Sequence, residues 1–133
     1  MKFLLLQNYE GGIGCDVPMS AWAPEDIKAH IDFQHTVNQE LLDKGELVDA
    51  QGLAGPELAT FVTFDGVGTP VVTDGPFPEA KELLAGYRMV DVESAARAIE
   101  IAARVSAAPG PNGVPIQQSI EVRQVMGAPS VDL

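Results

Sequence analysis

The stretch VVTDGPFPEAKELLAGY, residues 71–87, decides the fold predicted for this chain. At its centre the run Asp74-Gly75-Pro76-Phe77 separates two apolar segments. An Asp can accept hydrogen bonds from the amides that follow it, Gly permits backbone shapes that other residues resist, and Pro fixes φ and removes a donor. We therefore predict a rigid turn. Asp74 either only caps this turn or presents its carboxylate to a cavity.

Apolar periodicity and Gly or Pro breaks divide the rest of the chain into short strands and two helices. The expected elements are a strand at 2–8, a helix at 24–44, strands at 47–50, 58–64, 71–73 and 83–90, a helical turn at 79–82, a helix capped by Asp91 and ending near Ser106, and a strand within 116–125. This order predicts an α+β fold, a ferredoxin-like βαββαβ sandwich with an antiparallel sheet and both main helices on one face.

Length and charge narrow the class of protein. A chain of 133 residues suits a single domain, here with a core over about 1–125 and a loose tail at 126–133. The formal charge of −11 disfavours nucleic-acid binding, because such a surface repels phosphates. A single cysteine, Cys15, rules out an intramolecular disulfide and suggests no metal site. The short N-terminal apolar run predicts neither a signal peptide nor a membrane span, so we expect a cytoplasmic protein.

The first helix carries polar residues on its apolar side. His30, Gln34 and Asn38 recur every four residues along that side. The apolar residues of the same side are Ile27, Ile31, Phe33, Val37, Leu41 and Leu42. An unpaired buried polar group costs about 1–3 kcal/mol, so these side chains either hold the helix to the sheet by hydrogen bonds or line a wet cavity. A histidine there is suited to proton transfer.

His35 lies nearer the edge of that side, five residues from His30, so the two do not form a helical metal-binding pair. On the second helix, the wheel predicts a buried face and a charged outer face with two Glu-to-Arg pairs at i, i+4. The buried set is Ala95, Ala98, Ile99, Ala102 and Val105, and the pairs are Glu93 with Arg97 and Glu100 with Arg104.

The central stretch, above all 72–87, resembles the signature of the YCII-related family, whose members carry a DGPF turn. The opening MKFLLL and the closing segment 119–123 are similar too. The resemblance implies a ferredoxin-like chain that pairs as a homodimeric α+β barrel with a helix–sheet cleft in each subunit. It also implies an acid–base pair of a helix-one His and an Asp near a turn. Counting back from Gly45, that His falls at Gln34, and His30 is one turn earlier.

Two functions follow as hypotheses. In the first, the cleft binds a small organic ligand and performs isomerisation or elimination by proton transfer, without metal or cofactor. His30 or His35 would move the proton, and Asp74 would orient that group or bind the ligand. The ligand-binding set would be Gln34, Asn38, Phe77, Lys81 and Tyr87. In the second, the chain is a non-catalytic regulatory module that acts through a protein partner, since some relatives are encoded near sigma-factor genes. The sequence leaves open whether the chain is an enzyme.

Overall fold

The computed structural model describes residues 1–8, 17–75 and 84–128. The chain folds as an α+β protein with two helices and an antiparallel sheet, which confirms the predicted class. The elements are β1 (Lys2–Asn8), α1 (Pro24–Asp43), β2 (Leu47–Gly52), β3 (Thr60–Thr63), β4 (Val71–Asp74), β5 (Leu84–Asp91), α2 (Ala95–Ser106) and β6 (Ile120–Gln124). Four strands pair in the order β2-β5-β1-β6, consistent with a ferredoxin-like plan, and β3 pairs with β4 as a separate hairpin.

The main sheet has one face covered by the helices and one open face. Side chains alternate along a strand, so Leu5 of β1 and its register partner Arg88 of β5 both point to the helices. Buried residues of β1, β5, α1 and α2, together with Val92 between β5 and α2, form one apolar core there: Phe3, Leu5, Val37, Leu41, Val90, Val92, Ala98, Ile101, Ala102 and Val105. The opposite face carries half-buried side chains from the two central strands: Leu4, Leu6, Tyr87 and Met89.

Helix α1 begins and ends at the residues that the sequence signals. Pro24 occupies its first turn, and Gly45 follows it at φ +71°, the left-handed conformation that ends many helices. The predicted apolar face is too broad, however, since Ile31 and Leu42 are exposed. The sheet covers only the part of the helix around Val37 and Leu41.

Helix α2 departs from the sequence prediction at its cap and on its buried face. The N-cap is Ser94, whose Oγ accepts a hydrogen bond from the Arg97 amide, whereas Asp91 ends β5. The buried positions are Ala98, Ile101, Ala102 and Val105. Ala95 and Ile99 are exposed, so placing them on the buried face was wrong. The side of α2 that packs into the core contains Ile101, a residue that was not on the predicted buried face.

The arginines of α2 pair with carboxylates on other elements instead of forming the predicted i, i+4 pairs, and Arg97 also pairs with Glu100 at i, i+3. Arg97 donates from Nε and Nη2 to the two carboxylate oxygens of Glu46, at 3.0 and 2.9 Å, and Arg104 reaches Glu40 on α1. These carboxylates are better placed because they face α2 across the interface. The hydrogen bond from Arg97 holds the pKa of Glu46 below its usual value. Within the described ranges, no helix is long and apolar enough to cross a membrane.

Candidate functional site

A cavity of about 1140 Å³ opens between α1, the ends of β2 and β5, and the segment before α1. Its wall is rich in side-chain amides: Gln7, Asn8, Gln34, Asn38, Gln51 and Gln118. The polar stripe of α1 lines this wall, and so do His35, Tyr87 and Arg88. The two alternatives for the stripe are therefore not exclusive, because the same side chains make hydrogen bonds to the sheet and border a cavity.

Arg88, from the middle of β5, is the charged group at the base of this wall. It is only 4% exposed. Its Nε donates to Asn38 Oδ1 at 2.7 Å, its Nη1 to Gln7 Oε1 at 3.3 Å, and its Nη2 to both the side-chain and the backbone oxygen of Gln34. All these acceptors are neutral. Burial lowers the pKa of Arg88 to about 10 because it penalises the charged form.

Gln34 joins Arg88 to His30, and its amide can do so in one orientation only. A guanidinium only donates hydrogen bonds, so Gln34 Oε1 must face Arg88. The Gln34 Nε2 then faces His30 Nε2, at 3.2 Å, and donates to it. On the other side of the ring, His30 Nδ1 lies 3.0 Å from the carbonyl oxygen of Pro109, which only accepts. Both contacts require the same tautomer of His30, with its proton on Nδ1.

The two histidines therefore differ in what their rings can do. His30 is buried, with both nitrogens in hydrogen bonds and Trp22 packed edge-on at a centroid distance of 5.5 Å. Its observed contacts hold α1 to the segment around Pro109. His35 is exposed and borders the cavity, and no hydrogen bond joins it to another described residue.

Tyr87 also borders the cavity, but its hydroxyl is already used. It donates to Asp49 Oδ2 at 2.8 Å, between β5 and β2. This hydrogen bond raises the pKa of Tyr87 and is the main cause that lowers the pKa of Asp49. Asp49 was not foreseen, because nothing in a strand of mixed polarity marks one carboxylate as the partner of a tyrosine on another strand.

Arg88 was not foreseen either, although the sequence contained a usable signal. Alternation in β5 places Arg88 on the same face as Val90, toward the helices. A charged residue at an inward position, opposite a helix with a buried polar stripe, predicts that the two meet. The stripe was identified, but it was not matched to the one strand position able to satisfy it.

Comparison with known proteins gives the family of the chain. The model of the YCII-related domain matches residues 1–116. The chain belongs to the YCII-related family. A relative from Rhizobium meliloti (strain 1021) is 31% identical over 104 residues, which are 78% of this chain and 79% of that protein. That relative is named an uncharacterized protein, so its name gives no activity.

The described part of the predicted DGPF turn, Asp74 and Gly75, lies in the hairpin, apart from the polar stripe. Asp74 is exposed at the end of β4 and does not line the cavity, so the described structure does not bring it to His30. Gly75 donates its amide to the carbonyl of Ala59 at 2.8 Å, and a Cβ at Gly75 would stand 2.1 Å from the Phe61 ring. The glycine thus lets the chain pass close to that ring.

The remaining predicted site residues fall outside the described residues. These are Phe77 and Lys81, together with the predicted helical turn at 79–82; Cys15 is outside them too. Their roles, and the catalytic role of Asp74, stay predictions.

Proposed function

We propose that this YCII-related protein binds a small polar organic molecule in the cavity beside α1. The observation that carries the proposal is the wall itself, where residues with side-chain amides, among them Gln7, Gln34, Asn38 and Gln118, line one space together with a buried arginine. Apolar side chains such as Trp22 and Ile116 border the same space. Ligand pockets typically combine apolar walls with a few convergent polar groups that fix orientation.

The chemistry that fits this cavity is proton transfer without a metal or cofactor, as in an isomerisation or an elimination. His35 is the better candidate for the proton carrier, because its ring borders the cavity and is not held by another described residue. His30 would first have to give up the hydrogen bond from Gln34. Gln34 and Asn38 would contact the ligand, and Tyr87 borders the same cavity.

We expect a metabolite mixture to perturb the cavity residues in ¹H–¹⁵N NMR spectra. The His35 ring and the Gln34 side-chain amide should shift, while His30 keeps the ¹⁵N pattern of its Nδ1–H tautomer. The Gln39 side-chain amide is the internal control, since it lies on the exposed side of α1, bonded to Asp43. Equal shifts at Gln39 and Gln34, or no shift at any cavity residue, would contradict small-molecule binding here.

A second candidate function, regulation through a protein contact, is favoured by the exposed hairpin. We define the hairpin surface as five exposed apolar side chains of β3, β4 and their connection: Val62, Phe64, Val67, Val71 and Val72. Val62 and Val72 are register partners and share one face of the hairpin. Exposed apolar surface of this kind often marks a protein interface. The partner that we propose first is a second copy of this chain, since a homodimeric α+β barrel would also cover the open sheet face.

The mass of the protein in solution tests whether two copies of the chain form a dimer. We expect light scattering after size exclusion to give twice the 14.1 kDa of one chain. Val72→Asp should shift the mass toward that of one chain, because it places a charge in the hairpin surface. The matched control is Ile99→Asp, at an exposed apolar position of α2. A monomeric native protein would refute the dimer and leave a different protein as the partner of a regulatory module.

A further inference from the structure

Arg88 is a buried positive charge without a negative partner among the described residues. Its hydrogen-bond acceptors are the side-chain amide oxygens of Gln7, Gln34 and Asn38 and the backbone oxygen of Gln34. No carboxylate of residues 1–8, 17–75 or 84–128 lies within ion-pair distance of it, whereas Arg97 has two such partners, Glu46 and Glu100, and Arg104 has one. Burying a charge is costly unless an opposite charge compensates it, so Arg88 is ready to accept an anion.

The cavity around Arg88 is electrostatically unlike the rest of the molecule. The chain carries a formal charge of −11. Among the described residues that line the cavity, only Glu57 carries a carboxylate, while Arg88 and two histidines are basic. The amides of the wall add N–H donors. This setting favours a small anion inside, while the acidic exterior disfavours a polyanion such as nucleic acid.

The guanidinium also has donor capacity left, on the side of Gln7. Of its five N–H groups, Nε and both N–H groups of Nη2 are used by Asn38 and Gln34. Nη1 makes a single described contact, at 3.3 Å, to Gln7 Oε1. Gln7 in turn donates to Gln118 Oε1 across 3.5 Å, which is long for a hydrogen bond. Because Gln7 is held weakly on both sides, its amide can turn over and present its Nε2 to an acceptor bound at Nη1. The Gln118 amide then has to turn as well, because the two side-chain oxygens would otherwise face each other.

We propose that the ligand of this cavity carries a carboxylate, which binds to Arg88 Nη1 and to the side-chain amide of Gln7. The inference rests on the small-molecule binding proposed above and adds the chemical class of the ligand. A carboxylate oxygen accepts charge-assisted hydrogen bonds from a guanidinium and stabilises it more than an amide oxygen does. It would leave the contacts of Arg88 to Asn38 and Gln34 in place, so the tautomer of His30 is preserved when the ligand binds.

Matched pairs of probes test this assignment: acetate with acetamide, and benzoate with benzamide, at constant ionic strength and pH 7. The readouts are the NMR signals of Arg88 Nε–H and of the Gln7 side-chain amide. We expect both carboxylates to shift these signals in a saturable way and both amides to shift them little. The His30 ring should keep its ¹⁵N pattern throughout.

Variants test whether benzoate binding depends on the buried charge of Arg88 or on positive charge anywhere on the protein. We expect Arg88→Met to weaken benzoate binding about 30-fold or more, and Arg88→Lys, which keeps a cation, to retain part of it. The control is Arg123→Met, the same change at an exposed position of β6, which should bind benzoate like the native chain. Thermal unfolding checks that each variant is folded. If Arg88→Met does not fold, Arg88→Lys tests the assignment: an affinity for benzoate below that of the native chain supports it, and an unchanged affinity contradicts it.

The outcomes distinguish this inference from the function on which it rests. If benzamide binds as well as benzoate, the cavity binds ligands but the carboxylate assignment is wrong. If neither of them shifts a cavity signal and the metabolite mixture also fails, both proposals fall. Equal losses in Arg123→Met and Arg88→Met would show general charge attraction and would overturn the assignment.

Discussion

Replacing Leu5 with Ala is expected to lower the free energy of unfolding by about 3 kcal/mol, within the range of about 2–5 kcal/mol for a leucine lost from a core. Leu5 is 1% exposed at the centre of β1, between β5 and β6, and belongs to the core that joins the sheet to both helices. The substitution removes buried apolar surface and leaves a cavity. Urea unfolding followed by circular dichroism measures the loss.

The matched control is Leu42→Ala, the same change on α1 at a position that is 54% exposed. Because little apolar surface is buried there, we expect a change within about 0.5 kcal/mol. Similar losses for the two variants would mean that Leu42 is covered in solution, or that the core is not where the described structure places it.

Gly86→Ala is expected to destabilise the protein by about 1–3 kcal/mol, as overpacking in a filled site does. A Cβ at Gly86 would stand 2.7 Å from the backbone oxygen of Gln51, on the neighbouring strand β2. Backbone cannot turn away as a side chain can, so β2 and β5 would have to separate. Gly86 and Gln51 both border the cavity, so ligand binding should weaken as well.

Gly52→Ala is the control, since Gly52 is the register partner of Gly86 and a Cβ there would meet nothing within 4 Å. We expect this variant to unfold at nearly the native denaturant concentration. A Gly86→Ala protein as stable as Gly52→Ala would show that the strand pair is loose enough to admit a methyl group.

Local patterns predicted the elements of this fold well, because they depend on neighbouring residues. Pro24 and Gly45 mark the ends of α1, and both act through their own backbone conformation. The α+β class followed from the order of the elements. The N-cap of α2 was placed at Asp91 because Asp is a common cap, but Asp91 is the last residue of β5 and the strand pairing continues to it.

Contacts between elements were the part that the sequence could not supply. The partners that Arg97 and Arg104 find outside α2 are Glu46, before β2, and Glu40, on α1, far away in the chain. The buried face of α2 depended on which stripe the sheet covers, and this excluded Ile99. For the candidate site, the polar stripe of α1 was identified from its spacing, whereas Arg88, which satisfies it, lies about fifty positions later.

The amide of Gln34 has a lasting consequence for how positions 30, 34 and 88 can vary. Its oxygen serves a group that only donates, and its nitrogen serves a ring that accepts. A histidine introduced at position 34 alone would have to meet Arg88 with an acceptor nitrogen and His30 with a donor. A glutamate there could not donate to His30 at all. Substitutions at these three positions, on α1 and β5, therefore depend on one another: a change at one position determines which changes the other two can tolerate.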